Sequence, residues 1–172
     1  MTSQPQEAPE LEPEVAAFWA EYADARGIEG EPADVYSFGD NPELADELLA
    51  LVLSGRKTAT TEMVARFAAD GLPLPRIGDR CVVTDSAGRP AAVLRTVELR
   101  LGPMSGVHPR FAFDEGEGDR SVESWLRGHD AYFRRSCEEL GIAFSRDIEV
   151  VFERFVMVWP RAGAVSGAPR TG

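Results

Sequence analysis

The stretch Leu44 to Thr61, LADELLALVLSGRKTATT, reads one way up to its glycine and another way beyond it. Ahead of Gly55, the residues Leu44, Leu48, Leu51 and Val52 recur at the spacing of one helical face. Asn41 stands where an N-cap belongs, Pro42 fits the first helical position, and Glu43 and Glu47 suit the positive end of the helix dipole. Gly55 lies where a left-handed C-terminal cap is expected. After it, Lys57 to Thr61 is β-prone. A helix therefore passes directly into a strand, with a basic pair, Arg56-Lys57, at the joint.

Upstream, Val15, Phe18, Trp19 and Tyr22 recur at helical spacing from Pro13, in a helix that should stop near Gly27. Gly27 to Asp40 reads as loop, broken by Gly30, Pro32 and Gly39. Residues 1–12 lack periodicity and read as a disordered acidic tail. Downstream, Met63 to Asp70 reads as a short helix or an irregular excursion, and Gly71 to Pro75 as loop. Arg80 to Thr84 and Ala91 to Leu99 form a predicted hairpin around Ser86 to Pro90. A Gly- and Pro-rich loop is expected over Gly102 to Asp119. Ser121 to Leu140 then reads as a long helix with Trp125, His129, Phe133 and Cys137 near one face. Ile148 to Trp159 is the closing strand, and residues 161–172 read as a flexible tail. This order predicts an α+β fold, a small curved sheet or barrel with helices outside it. Residues 13–40 are expected to form a helical extension and 41–160 the domain proper.

The chain has 172 residues and a formal charge of −11, from 29 acidic and 18 basic side chains. That length fits one domain with an appended helical element. No apolar run approaches the roughly 20 residues that span a bilayer, and no signal-peptide pattern opens the chain. Cys81 and Cys137 are too few and too isolated for a disulfide framework. A cytoplasmic protein without a membrane partner is expected. The acidic balance also disfavours extended duplex DNA. The charge is unevenly placed, however. Residues 1–49 hold 13 acidic residues against Arg26 alone, leaving 16 acidic and 17 basic residues in the remainder. Lys57 is the single lysine of the chain.

Three groups of residues suit chemistry. In Gly55-Arg56-Lys57-Thr58-Ala59-Thr60, strand alternation aligns Thr58 with Thr60, and a bend at the glycine would bring Lys57 toward Thr60. A lysine beside a hydroxyl serves as a base only where its surroundings lower its pKa. The same residues also suit a cation at a helix C-terminus followed by an ordinary Thr-rich strand. The phosphate-loop pattern is absent. In Asp114-Glu115-Gly116-Glu117-Gly118-Asp119, four carboxylates fall within six residues. Glu117 suits general acid–base work and a carboxylate pair suits Mg²⁺, while Asp119 suits the N-terminus of the helix from Ser121. Trp125, His129 and Phe133, four residues apart, form either a core stripe or a stacking surface for a nucleobase. His108, His129 and the cysteines lack metal-ligand spacing, so no metal site is predicted.

Four runs in order resemble the ASCH-domain family, named for activating signal cointegrator homology, in its larger bacterial form with an N-terminal helical extension. They are Leu44 to Thr61, Leu74 to Leu99 (LPRIGDRCVVTDSAGRPAAVLRTVEL), Phe111 to Phe133 (FAFDEGEGDRSVESWLRGHDAYF) and Val150 to Val158 (VVFERFVMV). The specific motifs are GRKTAT at Gly55 to Thr60 and EGEGD at Glu115 to Asp119. Met104-Ser105-Gly106-Val107 stands where the family pattern has Phe-Asp-x-Val. The resemblance implies a PUA-like β-barrel flanked by helices, with a cleft between them, and a protein that binds RNA, a nucleobase or a nucleotide. One member type deacylates N4-acetylcytidine with a lysine, a threonine three residues later and a glutamate ahead of a helix. By motif position these fall on Lys57, Thr60 and Glu117, with Lys57 expected to be neutral enough to activate Thr60. Arg56, Thr58, Glu115, Asp119, Trp125 and His129 are then the expected substrate-binding residues. The leading expectation is hydrolysis of an N4-acylcytidine-type amide without a cofactor. The alternatives are a ribonuclease on single-stranded RNA, to which Mg²⁺ would belong, and a non-catalytic RNA- or nucleotide-binding module. The expected partner is a nucleoside, a nucleobase or a short single-stranded RNA.

Overall fold

A computed structural model of the protein describes residues 10–160. The tail expected over 161–172, and all but the last three residues of that expected over 1–12, lie outside the described residues. Helix α1 (Pro13–Arg26) is followed by β1 (Asp34–Tyr36), α2 (Pro42–Leu53), β2 (Ala59–Met63) and α3 (Val64–Ala69). Next come β3 (Arg80–Thr84), β4 (Pro90–Pro103), a 3₁₀ turn (Met104–Gly106), α4 (Pro109–Glu115), α5 (Val122–Leu140) and β5 (Glu149–Trp159). The fold is α+β: a five-stranded sheet in the order β1-β3-β4-β5-β2, curled into a PUA-like half-barrel with helices outside it. The β1–β3 pair is parallel and the other pairs are antiparallel. Register shifts between Val93 and Leu94 and between Thr96 and Glu98 break the β4–β5 ladder, and such bulges bend and twist a long strand pair.

The helix-to-strand joint forms as its residues dictate. Asn41 caps α2 by accepting the Leu44 N–H at 2.9 Å. The helix ends at Leu53, and Gly55, at φ +75°, turns the chain so that the Arg56 and Lys57 N–H groups both reach the Leu51 carbonyl. Helix α2 packs Leu48, Leu49 and Val52 on Val83, Leu94 and Phe155 of the sheet. Helix α5 closes the other end, with Trp125, Phe133 and Cys137 against Met63, Val150 and Phe152. Helix α1 covers Val82 and Val93 with Val15, Trp19 and Tyr22.

Two expected loops contain structure. Within Gly27 to Asp40, Asp34–Tyr36 forms β1, paired with Cys81–Val83 of β3. Three residues carry too short a pattern to announce a strand, and here the partner strand supplies the stabilisation. Within Gly102 to Asp119, β4 runs on to Pro103 because Gly102 and Pro103 lie opposite Val150 and Glu149 of β5. Pro109 then starts α4 instead of breaking it, with the His108 ring accepting the Arg110 N–H at 3.2 Å as a cap.

Candidate functional site

The two motifs meet. Thr58 is held by the Asp114 carbonyl, which accepts from its N–H at 2.8 Å and from its hydroxyl at 3.2 Å. Arg56 donates to the Gly116 carbonyl at 2.7 Å and to the Gly118 carbonyl at 2.8 Å. Gly116 has φ +78°, and a Cβ there would stand 2.5 Å from the Arg56 carbonyl oxygen, so glycine alone permits this approach. Arg56 and Thr58 therefore fasten the acidic loop to the joint.

Lys57 turns inward and is 2% exposed. Its ammonium donates to Glu117 Oε1 at 2.6 Å and to Glu115 Oε2 at 3.3 Å, and lies 5.5 Å from the centre of the Phe38 ring. Glu115 is 1% exposed, and its Oε1 accepts the Thr61 hydroxyl at 2.5 Å. His129 Nε2 lies 3.5 Å from Glu115 Oε2. The His129 ring stacks on Trp125 with centres 3.8 Å apart. The buried Trp125 indole N–H has no partner in hydrogen-bonding geometry, although it lies close enough to Glu115 to favour the charged carboxylate.

These contacts decide protonation. For Lys57 the largest influence is burial, which pulls the pKa down, but the charges of Glu115 and Glu117 outweigh it and the net is a rise. Burial pushes Glu115 up, and Lys57, then His129, then the Thr61 hydroxyl, bring it below the ordinary carboxylate range. The expectation of a neutral Lys57 is thus corrected. Two carboxylates in contact with the ammonium keep it charged.

The cluster lies along a cleft of 680 Å³ between the sheet and α5. Lys57, Thr60, Glu115, Glu117 and His129 line it. Lys57 bonds the two glutamates and makes no hydrogen bond to Thr60. Trp125 lies behind His129 and borders a separate 380 Å³ depression beside Glu117 and Ser124. Arg56, Thr58 and Asp119 are not brought into the lining. Asp119 accepts the Ser121 N–H at 2.9 Å at the start of α5.

Sequence reasoning missed Thr61, Glu62, Tyr132 and Glu153, which all line the cleft. Thr61 was detectable, since burial alternates through Lys57, Ala59, Thr61 and Met63 with the period of a strand. Glu62 accepts the Tyr132 hydroxyl at 2.8 Å, and burial raises its pKa. Burial likewise raises Glu153, which accepts the Thr96 hydroxyl at 2.5 Å. No spacing links these partners in the chain. Among the described residues, no three His, Cys, Asp or Glu side chains are grouped to hold a metal ion. Nor is any described helix long and apolar enough to cross a membrane.

A half-barrel whose helix-to-strand joint carries a buried lysine against a glycine-rich acidic loop defines a PUA-like domain with a lateral cleft. The ASCH domain model matches residues 34–159, and the chain belongs to that family. Among solved structures, it resembles a protein from Enterococcus faecalis V583, with 29% identity over 84% of this chain and 88% of that one and a TM-score of 0.78. It also resembles the ASCH domain from Lactobacillus crispatus JV V101, with 27% identity over 87% of this chain and 96% of that one and a TM-score of 0.79. No curated protein matches the chain.

Proposed function

We propose that the cleft binds the base of a nucleoside or of a short single-stranded RNA end, and that the site hydrolyses an exocyclic amide of the N4-acylcytidine type. The observation that carries this reading is the Lys57–Glu117 contact of 2.6 Å, in which a sealed ammonium meets a carboxylate that is 33% exposed toward the cleft. A buried ion pair is weak evidence for stability, so its presence at a cleft favours a chemical role.

In the proposed reaction Lys57 is the fixed cation, not the base. It polarises the amide carbonyl and stabilises the oxyanion. Glu117 takes the Thr60 proton as Thr60 Oγ bonds the carbonyl carbon. Collapse of the adduct breaks the C–N bond, and Glu117 returns the proton to the leaving amine. Water then attacks the Thr60 ester, losing a proton to Glu117, and the carboxylic acid departs as Thr60 recovers its hydroxyl proton. Every step uses side chains of this chain, and no cofactor enters it.

The cleft's charge favours a small ligand over a polyanion, because its lining holds seven carboxylates and four cations. The test is incubation of the purified protein with N4-acetylcytidine. Thr60→Ala should abolish turnover while binding stays measurable, and full activity in that variant would remove Thr60 as nucleophile. Cleavage of single-stranded RNA, lost in Lys57→Ala, would favour the ribonuclease reading instead. Arg66, Arg76 and Arg135 in the lining are the cations that phosphates would meet in that case.

A further inference from the structure

Glu115 has one oxygen with a single partner and one that is contested. Oε1 accepts the Thr61 hydroxyl at 2.5 Å. Oε2 faces Lys57 Nζ at 3.3 Å and His129 Nε2 at 3.5 Å. The other ring nitrogen, His129 Nδ1, lies 2.9 Å from the Trp125 carbonyl oxygen. A carbonyl oxygen only accepts, so Nδ1 carries a proton. A neutral ring held in that tautomer would turn a bare Nε2 lone pair toward the Glu115 carboxylate, deep in the protein where such repulsion is strong. A ring protonated on both nitrogens removes the conflict.

We propose that His129 is a positioning residue: as an imidazolium it shares Glu115 Oε2 with Lys57, so that the Lys57 ammonium leans on Glu117 at the cleft instead of closing onto Glu115. The inference rests on the reading of Lys57 and Glu117 as the reacting pair. The distances agree with it, since Lys57 is 2.6 Å from Glu117 and 3.3 Å from Glu115. The ring cannot swing away, because it is 9% exposed, stacks on Trp125 and meets Phe133 on its other side. The charged groups around it are Glu115 and Glu117 of the acidic loop, Glu62 of β2 with Arg66 of α3 beside it, Asp130 of its own helix with Arg134 and Arg146 beside it, and Lys57 across Glu115. Neither the i, i+4 spacing of Trp125 and His129 nor a stacking role for a nucleobase requires this arrangement.

Two variants separate charge from packing. His129→Phe keeps an aromatic ring on Trp125 but removes the Nε2 proton, whereas His129→Gln keeps a neutral donor toward Glu115. With N4-acetylcytidine, His129→Phe should lower kcat about 100-fold with KM little changed, as misplacement of one reacting group does. His129→Gln should recover most of kcat and lose one ionisation from the wild-type pH profile of kcat. A Phe variant as active as wild type, or a Gln variant with the wild-type pH profile, overturns the proposal. If the Phe variant fails to fold, the Gln pH profile decides alone. ¹⁵N NMR of the wild-type protein without substrate should show both His129 ring nitrogens protonated, and a neutral ring refutes the inference whatever the substrate is. Inactivity on N4-acetylcytidine together with an imidazolium signal refutes the proposed reaction and supports this placement of charge.

Discussion

Lys57 is buried against two carboxylates, and the cost of removing one partner from such a cluster falls on those left behind. Lys57→Met should therefore destabilise the protein by about 3–5 kcal/mol in urea unfolding, while Lys57→Met/Glu115→Gln should regain part of that loss. The same contacts set a pH dependence whose sign is fixed. Glu115 titrates lower in the folded protein than its ordinary 4.5, so its stabilising contribution is present above 4.5 and is lost as pH falls through the folded value. Lys57 titrates above its ordinary 10.5, so its contribution is present below 10.5 and is lost as pH rises through the folded value. Thermal unfolding measured from pH 7 to acid should show a steeper decline in wild type than in Glu115→Gln. Glu153 has the opposite sign from Glu115. Burial raises it, so at neutral pH its charge opposes folding, and Glu153→Gln should raise Tm there while leaving an acceptor for Thr96.

The α2–β2 joint and the exit of the acidic loop into α5 are local structures with local causes, and each was readable. Asn41, Pro42 and Gly55 mark the ends of α2, and Ser121 caps α5 by accepting the Ser124 N–H at 3.0 Å. How the two elements touch was not readable, because they lie far apart in the chain and meet through backbone carbonyls that every residue possesses. Arg56 reaching the Gly116 and Gly118 carbonyls, and Thr58 bonding the Asp114 carbonyl, are contacts of that kind. Arg56 and Thr58, which the motif marks as candidate substrate-binding residues, hold the loop. Gly116→Ala tests the joint. Its Cβ would meet the Arg56 carbonyl at 2.5 Å in a left-handed conformation, so the loop must shift. The substitution should cost about 1–3 kcal/mol in chemical denaturation and weaken the Lys57–Glu117 contact.

At the scale of the molecule, α1 lies outside the matched residues 34–159 yet is packed on the same sheet as the cleft. Trp19 is 5% exposed and donates its indole N–H to the Gly30 carbonyl at 2.8 Å. Trp19→Ala should cost about 3–5 kcal/mol in global unfolding, which a merely appended helix would not show. Net charge acts at this scale too. Nucleoside binding should change little between low and moderate salt, whereas a steep loss of binding to single-stranded RNA would indicate phosphate contacts instead. The charge of −11 resides almost wholly in residues 1–49, and the cleft is itself acid-rich. The sequence by itself determined helices α1, α2 and α5, the hairpin, the two motifs and the lone lysine, because caps, periodicity and turn residues act over a few positions. Only the tertiary structure decided that Lys57 is a charged group shared by Glu115 and Glu117, and that Thr61 and His129 complete its surroundings. It also drew β1, the end of β4 and α4 out of apparent loops. Strand pairing and the balance between burial and opposite charge depend on groups that folding brings together from distant parts of the chain.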